Sequence, residues 1–260
     1  MGGGLTRLRA WLDTTPLAAL ALTVMREATG HSEPLEAISP TRPGRLAASA
    51  RIGFWSMSAG AGTTTVAALV AQRSAAGGHA PLLADLDRWT PSLALRASIE
   101  AATIADVLVQ PDREREMVSR WGGVPFIPGS PELHRHFDAD RVMTTLERVA
   151  RGTALVVDLG CGADALDPTV GARLTRLVVV CGTRASQLQS AFCARPLLRE
   201  MRAPAGLVVV AAARDDAALI ASRIGLPLLA AVPDDPYLAR DEFAARAPTM
   251  RAIDGLIAAL

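Results

Sequence analysis

Nine consecutive residues, Met57-Ser58-Ala59-Gly60-Ala61-Gly62-Thr63-Thr64-Thr65, have the composition of an anion cradle. Gly60 and Gly62 permit backbone angles and a close approach that a Cβ would block. A glycine turn between a strand and a helix aims backbone N–H groups at an anion on the positive end of that helix. Thr63, Thr64 and Thr65 put hydroxyls on the first helical turn, where they can cap the helix or touch a phosphate or its metal ion. Two acidic segments accompany the cradle. Leu82-Leu83-Ala84-Asp85-Leu86-Asp87 is an apolar run that ends in carboxylates, and Ala154-Leu155-Val156-Val157-Asp158-Leu159-Gly160-Cys161-Gly162 is one that ends in an acid and glycines.

The cradle follows the P-loop template G-x-x-x-x-G-K-[ST], with one departure. Gly62-Thr63-Thr64 stands where Gly-Lys-[ST] is expected, so the lysine is missing. The order and spacing of the three segments resemble the ParA/MinD group of deviant-Walker P-loop ATPases. There a K-G-G-x-G-K-T-T loop precedes an L-L-x-D-x-D strand and an h-h-h-D-x-P-x-G strand. The resemblance runs from about Arg51 to the C-terminus. Ser-Ala-Gly-Ala-Gly-Thr-Thr-Thr looks most like the CpaE/TadZ branch, including its septum-site-determining-like members.

The resemblance implies ATP and Mg2+ as cofactors. It places nucleotide binding on Ser58, Gly60, Ala61, Gly62, Thr63, Thr64 and Thr65, and metal binding on Thr64 and Asp158. Asp87 matches the carboxylate that positions the attacking water. The two family lysines fall at Ser58 and Thr63. A hydrogen bond to a charged group is worth roughly 1.5–3 kcal/mol, so each loss is expected to weaken phosphate binding about ten- to a hundred-fold. Arg88 and Arg184 are candidates to substitute for that charge, set against the plainer reading of both as solvated surface arginines. Asp85 and Asp87 are expected to turn to opposite faces of their strand, with Asp85 structural, bonding to loop amides. Gly160 replaces the motif's proline, which loosens the expected γ-phosphate switch. The family's adenine-contacting asparagine has no counterpart in Val208-Val209-Val210-Ala211-Ala212-Ala213-Arg214.

The elements that must position these groups alternate along the chain. Strands are expected at 51–57, 80–86, 124–127, 153–158, 176–181, 206–212 and 227–231. Most are short Val-, Leu- and Ile-rich runs, as in a parallel sheet covered on both faces. Helices are expected at 64–76, 100–109, 138–150, 186–201, 215–223, 235–245 and 248–259. The fold class is α/β, a doubly wound, mostly parallel sheet, and all three motifs fall at strand carboxyl ends, where ligands of such sheets bind. A domain over 47–260 is expected to follow an arm and linker over 1–46. In the arm, Leu5, Leu8, Trp11 and Leu12 repeat at helical spacing, then Leu17, Leu20, Leu22 and Met25. The arm either packs on the core or, with Arg7 and Arg9 beside Leu8 and Trp11, lies on a partner or an interface. It is too short to be the receiver-like domain that usually precedes CpaE-like ATPase regions.

Composition narrows the function classes. The 260 residues carry a net charge of +1, so no bulk electrostatic argument favours DNA or an anionic membrane. Every basic residue other than histidine is arginine. Base composition of the genome explains that bias, but exchange of Lys for Arg would leave Arg, not Thr, at position 63. Cys161, Cys181 and Cys193 are odd in number and unpaired in spacing, which points to a reducing, cytoplasmic setting. No stretch reaches the roughly 18 apolar residues of a membrane span, and no signal peptide is read. Peripheral attachment at the inner face of a membrane stays open. Arg195, Arg199 and Arg202 share a helical face that reads as solvated rather than DNA-binding. His134 and His136 flank Arg135 in what reads as a polar loop, not a metal site.

Three functions compete. The first is a positioning protein of a cell-division, pilus or secretion apparatus, with protein partners from that apparatus, a homodimer as one option, and weak or absent ATP hydrolysis. The second is a working ATPase of the same fold that uses a substitute arginine. The third is a dinucleotide-dependent oxidoreductase, since Gly60-Ala61-Gly62-Thr63-Thr64-Thr65 approaches G-x-G-x-x-G with an acid ending the next strand. That scheme lacks the third glycine, gives the Asp158 motif no place, and has no catalytic His, Lys or Tyr.

Overall fold

A computed structural model describes residues 44–134, 138–238 and 245–260. The expected helices over 1–30 and nearly all of the linker lie outside the described residues.

Eight strands form one sheet in the order β3-β4-β2-β5-β1-β6-β7-β8. They are β1 (Arg51–Ser56), β2 (Leu82–Asp85), β3 (Ser119–Trp121), β4 (Val124–Ile127), β5 (Leu155–Cys161), β6 (Arg176–Gly182), β7 (Ala205–Val210) and β8 (Leu228–Val232). All pairings are parallel except that of β3 with β4. The seven expected strands are present within a few residues, and β3 is an addition at the sheet's edge.

Strand alternation divides the core into two layers. Ile52, Phe54, Leu83, Val156, Val178 and Val208 face one side, against α1 (Thr63–Ala76), α2 (Leu93–Ala97) and α9 (Ala247–Ala259). Trp55, Leu82, Ala84, Leu155, Val157, Val179 and Val209 face the other. That second side is covered by α3 (Ile104–Val109), α4 (Ala139–Val149), α5 (Pro168–Arg173), α6 (Ala185–Cys193), α7 (Arg195–Glu200) and α8 (Arg214–Ile224). Burial of both sheet faces explains why the strands read as continuous apolar runs rather than alternating ones.

The differences from expectation are local. The helix expected at 100–109 starts at Ile104, because Thr103 and Asp106 form a reciprocal cap there. The helix expected over 186–201 breaks into α6 and α7, with Pro196 in the first turn of the second. Residues 235–238 of the helix expected over 235–245 form a turn, and 239–244 lie outside the described residues. Among the described residues, no helix is long and apolar enough to cross a membrane.

Candidate functional site

The site begins where β1 ends. Ser56, the last residue of β1, donates its hydroxyl to the Ser58 carbonyl at 2.9 Å and starts the turn. Gly60 (φ 74°) and Gly62 (φ 93°) take left-handed backbone conformations that L side chains adopt at a cost. Gly62 is the N-cap of α1, and no side chain caps that helix. The threonines therefore occupy the first three helical positions and do not act as caps. The first N–H groups of α1 have no partner within the helix, and its first turn carries no acid that would oppose an anion.

A cleft of about 300 Å³ opens over this turn. Gly60, Gly62, Thr63, Thr64 and Thr65 line it together with Asp87, Thr90, Ser92, Arg96, Gly160 and Cys161. Ser58 and Ala61, both expected to bind nucleotide, are placed differently. Ala61 turns its methyl into the core at 3 % exposure, and neither residue belongs to the cleft lining.

Asp158 lies beneath the cleft. Register places it beside Asp85 across the β2–β5 pair, and both share the face of Leu83 and Val156 that looks toward α1. Asp158 is fully buried. Its Oδ1 accepts the Gly160 N–H at 3.0 Å, while Oδ2 has no hydrogen-bond partner. Burial pushes its pKa up to about 6, against the opposing pull of Thr64, the Gly160 N–H and the Arg96 charge. Asp85 is also raised, first by burial and then by the neighbouring Asp158 charge. A buried carboxylate oxygen without a partner is costly, and a cation is the group that would relieve it.

Asp85 and Asp87 do not part to opposite faces. Residues two apart share a face of a strand, and what separates this pair is the end of β2 at Asp85. Asp85 takes the structural role expected of it. Its Oδ1 accepts the Asp87 N–H at 3.0 Å, and its Oδ2 accepts the N–H groups of Ser92 and Leu93 at 3.1 and 3.2 Å. Asp87 turns into the cleft, accepting Trp89 N–H and Thr90 N–H on Oδ1 and the Thr90 hydroxyl on Oδ2.

Gly160 explains how Asp87 fits. One extra residue of β5 bulges between Asp158 and Cys161, opposite Phe54 to Ser56 of β1. Gly160 sits in that bulge at φ 73°, and a Cβ there would fall 2.4 Å from Asp87 Cγ. Proline, fixed near −65°, cannot take this backbone. The glycine thus belongs to a differently built turn, not to the motif's proline turn with a part removed.

Neither of the two substitute arginines lines the cleft. Arg88 pairs with Asp167 at 3.4 Å, and Arg184 is an exposed residue at the start of α6. Arg96 does reach it, donating from Nη1 to the Thr65 hydroxyl at 2.8 Å. Sequence reasoning missed Arg96, Thr90 and Ser92 because they lie on the segment after β2, outside every motif. Buried Gln187 of α6, close to Gly60 and Gly182, was likewise unmarked.

Arg195, Arg199 and Arg202 border a separate hollow of about 420 Å³ at the start of β7, whereas the cradle lies at its end beside Val210. The polar loop holding His136 lies outside the described residues, as does the His134 side chain. No group of three or more His, Cys, Asp or Glu among the described residues is placed to hold a metal ion. Magnesium at a phosphate needs less, since one or two carboxylates plus phosphate and water complete its shell.

No protein-family model matches the chain, and no curated protein does. Solved structures do. A ParA family ATPase from Chlorobium tepidum superposes with a TM-score of 0.65 at 20% identity, over 82% of this chain and 100% of that one. The septum site-determining protein MinD from Pyrococcus horikoshii, complexed with Mg-ADP, gives 0.66 at 18% identity, over 80% and 94%. A plasmid partition protein from Borrelia burgdorferi, bound to AMPPNP, gives 0.64 at 14% identity, over 81% and 97%. The fold is that of the MinD and ParA P-loop ATPases. Strand order also argues against the dinucleotide scheme. In that fold the second strand lies beside the first, whereas here β5 and Asp158 stand between β1 and β2.

Proposed function

We propose that this chain is a ParA/MinD-like nucleotide-binding protein of the CpaE/TadZ type. It positions a division, pilus or secretion apparatus with weak or absent ATP hydrolysis. The observation that carries this reading is a glycine cradle facing Asp87, with a buried, half-satisfied Asp158 below it and threonine at position 63. Backbone N–H groups of the cradle would hold the phosphates, and Thr64 with Asp158 would hold Mg2+. Asp87 would orient water. Without a lysine in the loop, little charge stabilisation is left for phosphoryl transfer.

The domain is taken as 47–260, with 1–46 as an arm that offers a contact surface. Protein contacts then set the oligomeric state, because a ligand with equal affinity for two states shifts neither. The setting is cytoplasmic, with attachment at a membrane's inner face only through the arm or a partner. Localisation of a fluorescent fusion of the full chain in its own cells tests the reading. Foci at a septum, pole or secretion site, retained by Asp87→Ala, support it. A uniform distribution refutes it.

A further inference from the structure

The loop lacks its lysine, yet the cleft holds a fixed positive charge that comes from another element. α2 begins eight residues after Asp85, and two contacts fix where it sits. The Asp85 carboxylate accepts the N–H groups of Ser92 and Leu93. The Leu93 side chain, fully buried, plugs into the core under α1. Residues three apart lie on the same side of a helix, so the face that buries Leu93 also turns Arg96 toward the cradle. Leu95, between them, points to solvent at 83 % exposure. Arg96 then donates to Thr65 in the first turn of α1 and lines the same cleft as Gly60, Gly62, Thr63, Thr64 and Asp87.

We propose that Arg96 supplies the phosphate-binding charge that position 63 does not, so that a polyphosphate in the cradle is held between the α1 N–H groups and a guanidinium delivered by α2. This rests on the reading of the cradle as a nucleotide site. Two features favour a polyphosphate over a single anion. The cleft extends from the cradle to Asp87, and the orphaned Oδ2 of Asp158 calls for a cation that a polyphosphate would bring. Arginine suits the position because its planar fork stays charged and can take two phosphate oxygens at once. Asp85 is the positioning residue, because it fastens the turn that aims Arg96. The segment from Asp85 to Arg96 thereby carries both the acid that faces the reacting end and the cation that holds the phosphates.

Calorimetric titration of the full chain with Mg-ATP, ADP and inorganic tripolyphosphate tests this. Arg96→Ala and Arg96→Gln should weaken ATP binding about ten- to a hundred-fold. Arg96→Lys should recover part of the loss, and Arg88→Ala, whose guanidinium pairs with Asp167, should bind as the unmodified chain does. Circular dichroism and melting of each variant separate loss of affinity from loss of fold. Tripolyphosphate weakened in parallel means that phosphates alone are the ligand; binding and weakening confined to nucleotides means that the phosphates are read only as part of one. Either result supports the proposal. Binding of ATP within about twofold of normal in folded Arg96 variants overturns the role of Arg96 alone. An equal loss in Arg88→Ala overturns it too, as general electrostatics. No binding of any of the three by the unmodified chain overturns the nucleotide reading together with it.

Discussion

Replacing Asp158 by asparagine should stabilise the protein in the absence of magnesium and nucleotide, by an amount that grows from about pH 4 and is complete above about pH 6. The side chain is fully buried and one of its oxygens has no partner. Its pKa rises from the ordinary 3.8 to about 6. Between those values the folded protein holds a proton that the unfolded chain has already released. Stability therefore falls as pH rises from about 4 to about 6, and stays lower above that window. The gap corresponds to roughly 3 kcal/mol. Asparagine resembles the protonated acid in shape and in placing a donor at the orphaned position. Asp158→Asn should thus match the unmodified chain near pH 3 and exceed it by about 2–3 kcal/mol at pH 8. Relief of the neighbouring Asp85, whose pKa the Asp158 charge raises, adds to the gain. Urea unfolding followed by tryptophan fluorescence in chelator, at both pH values, gives the difference. A destabilised variant at pH 8, or an equal effect at both pH values, would refute the reasoning.

Gly160→Ala should cost at least about 2 kcal/mol and disturb Asp87, because the new Cβ meets Asp87 Cγ at 2.4 Å on a left-handed backbone; chemical denaturation measures it. Arg73→Ala should cost about 1–3 kcal/mol, read from a thermal melt, since its guanidinium holds Asp254 through bonds of 2.6 and 2.8 Å and ties α1 to α9. Ala211→Gly should stabilise by about 0.5–1 kcal/mol, because Ala211 sits at φ 60° after β7; a lowered urea midpoint would contradict this. Sedimentation with and without ATP and magnesium should show little change in oligomeric state, and a clear nucleotide-driven dimer at micromolar protein would favour a working switch.

The long apolar runs made the sheet legible, because strands buried on both faces carry a signal that a single sequence preserves. Alternation within those runs even contains the pairing of Asp85 with Asp158 on the α1 side, once residues two apart are given the same face. What stayed hidden was short or tertiary. β3 has three residues and no fully buried one, α2 has five, and α5 has six. None spans enough residues to establish a period. Arg96 escaped for a related reason. Its reach depends on a carboxylate eight residues upstream of α2 catching two backbone N–H groups, and no residue pattern announces that contact. The Gly160 turn was visible as a substitution, but its meaning lay in a bulge and in the space taken by Asp87.

The proposed site binds nucleotide and does little with it. Calorimetric titration of the full chain with ATP and NAD, each with magnesium, tests it most directly when phosphate release is followed on the same sample. The chain should show saturable binding of ATP, no heat from NAD, and phosphate release close to that of a protein-free blank. Absence of ATP binding would contradict it, as would steady turnover that Asp87→Ala abolishes.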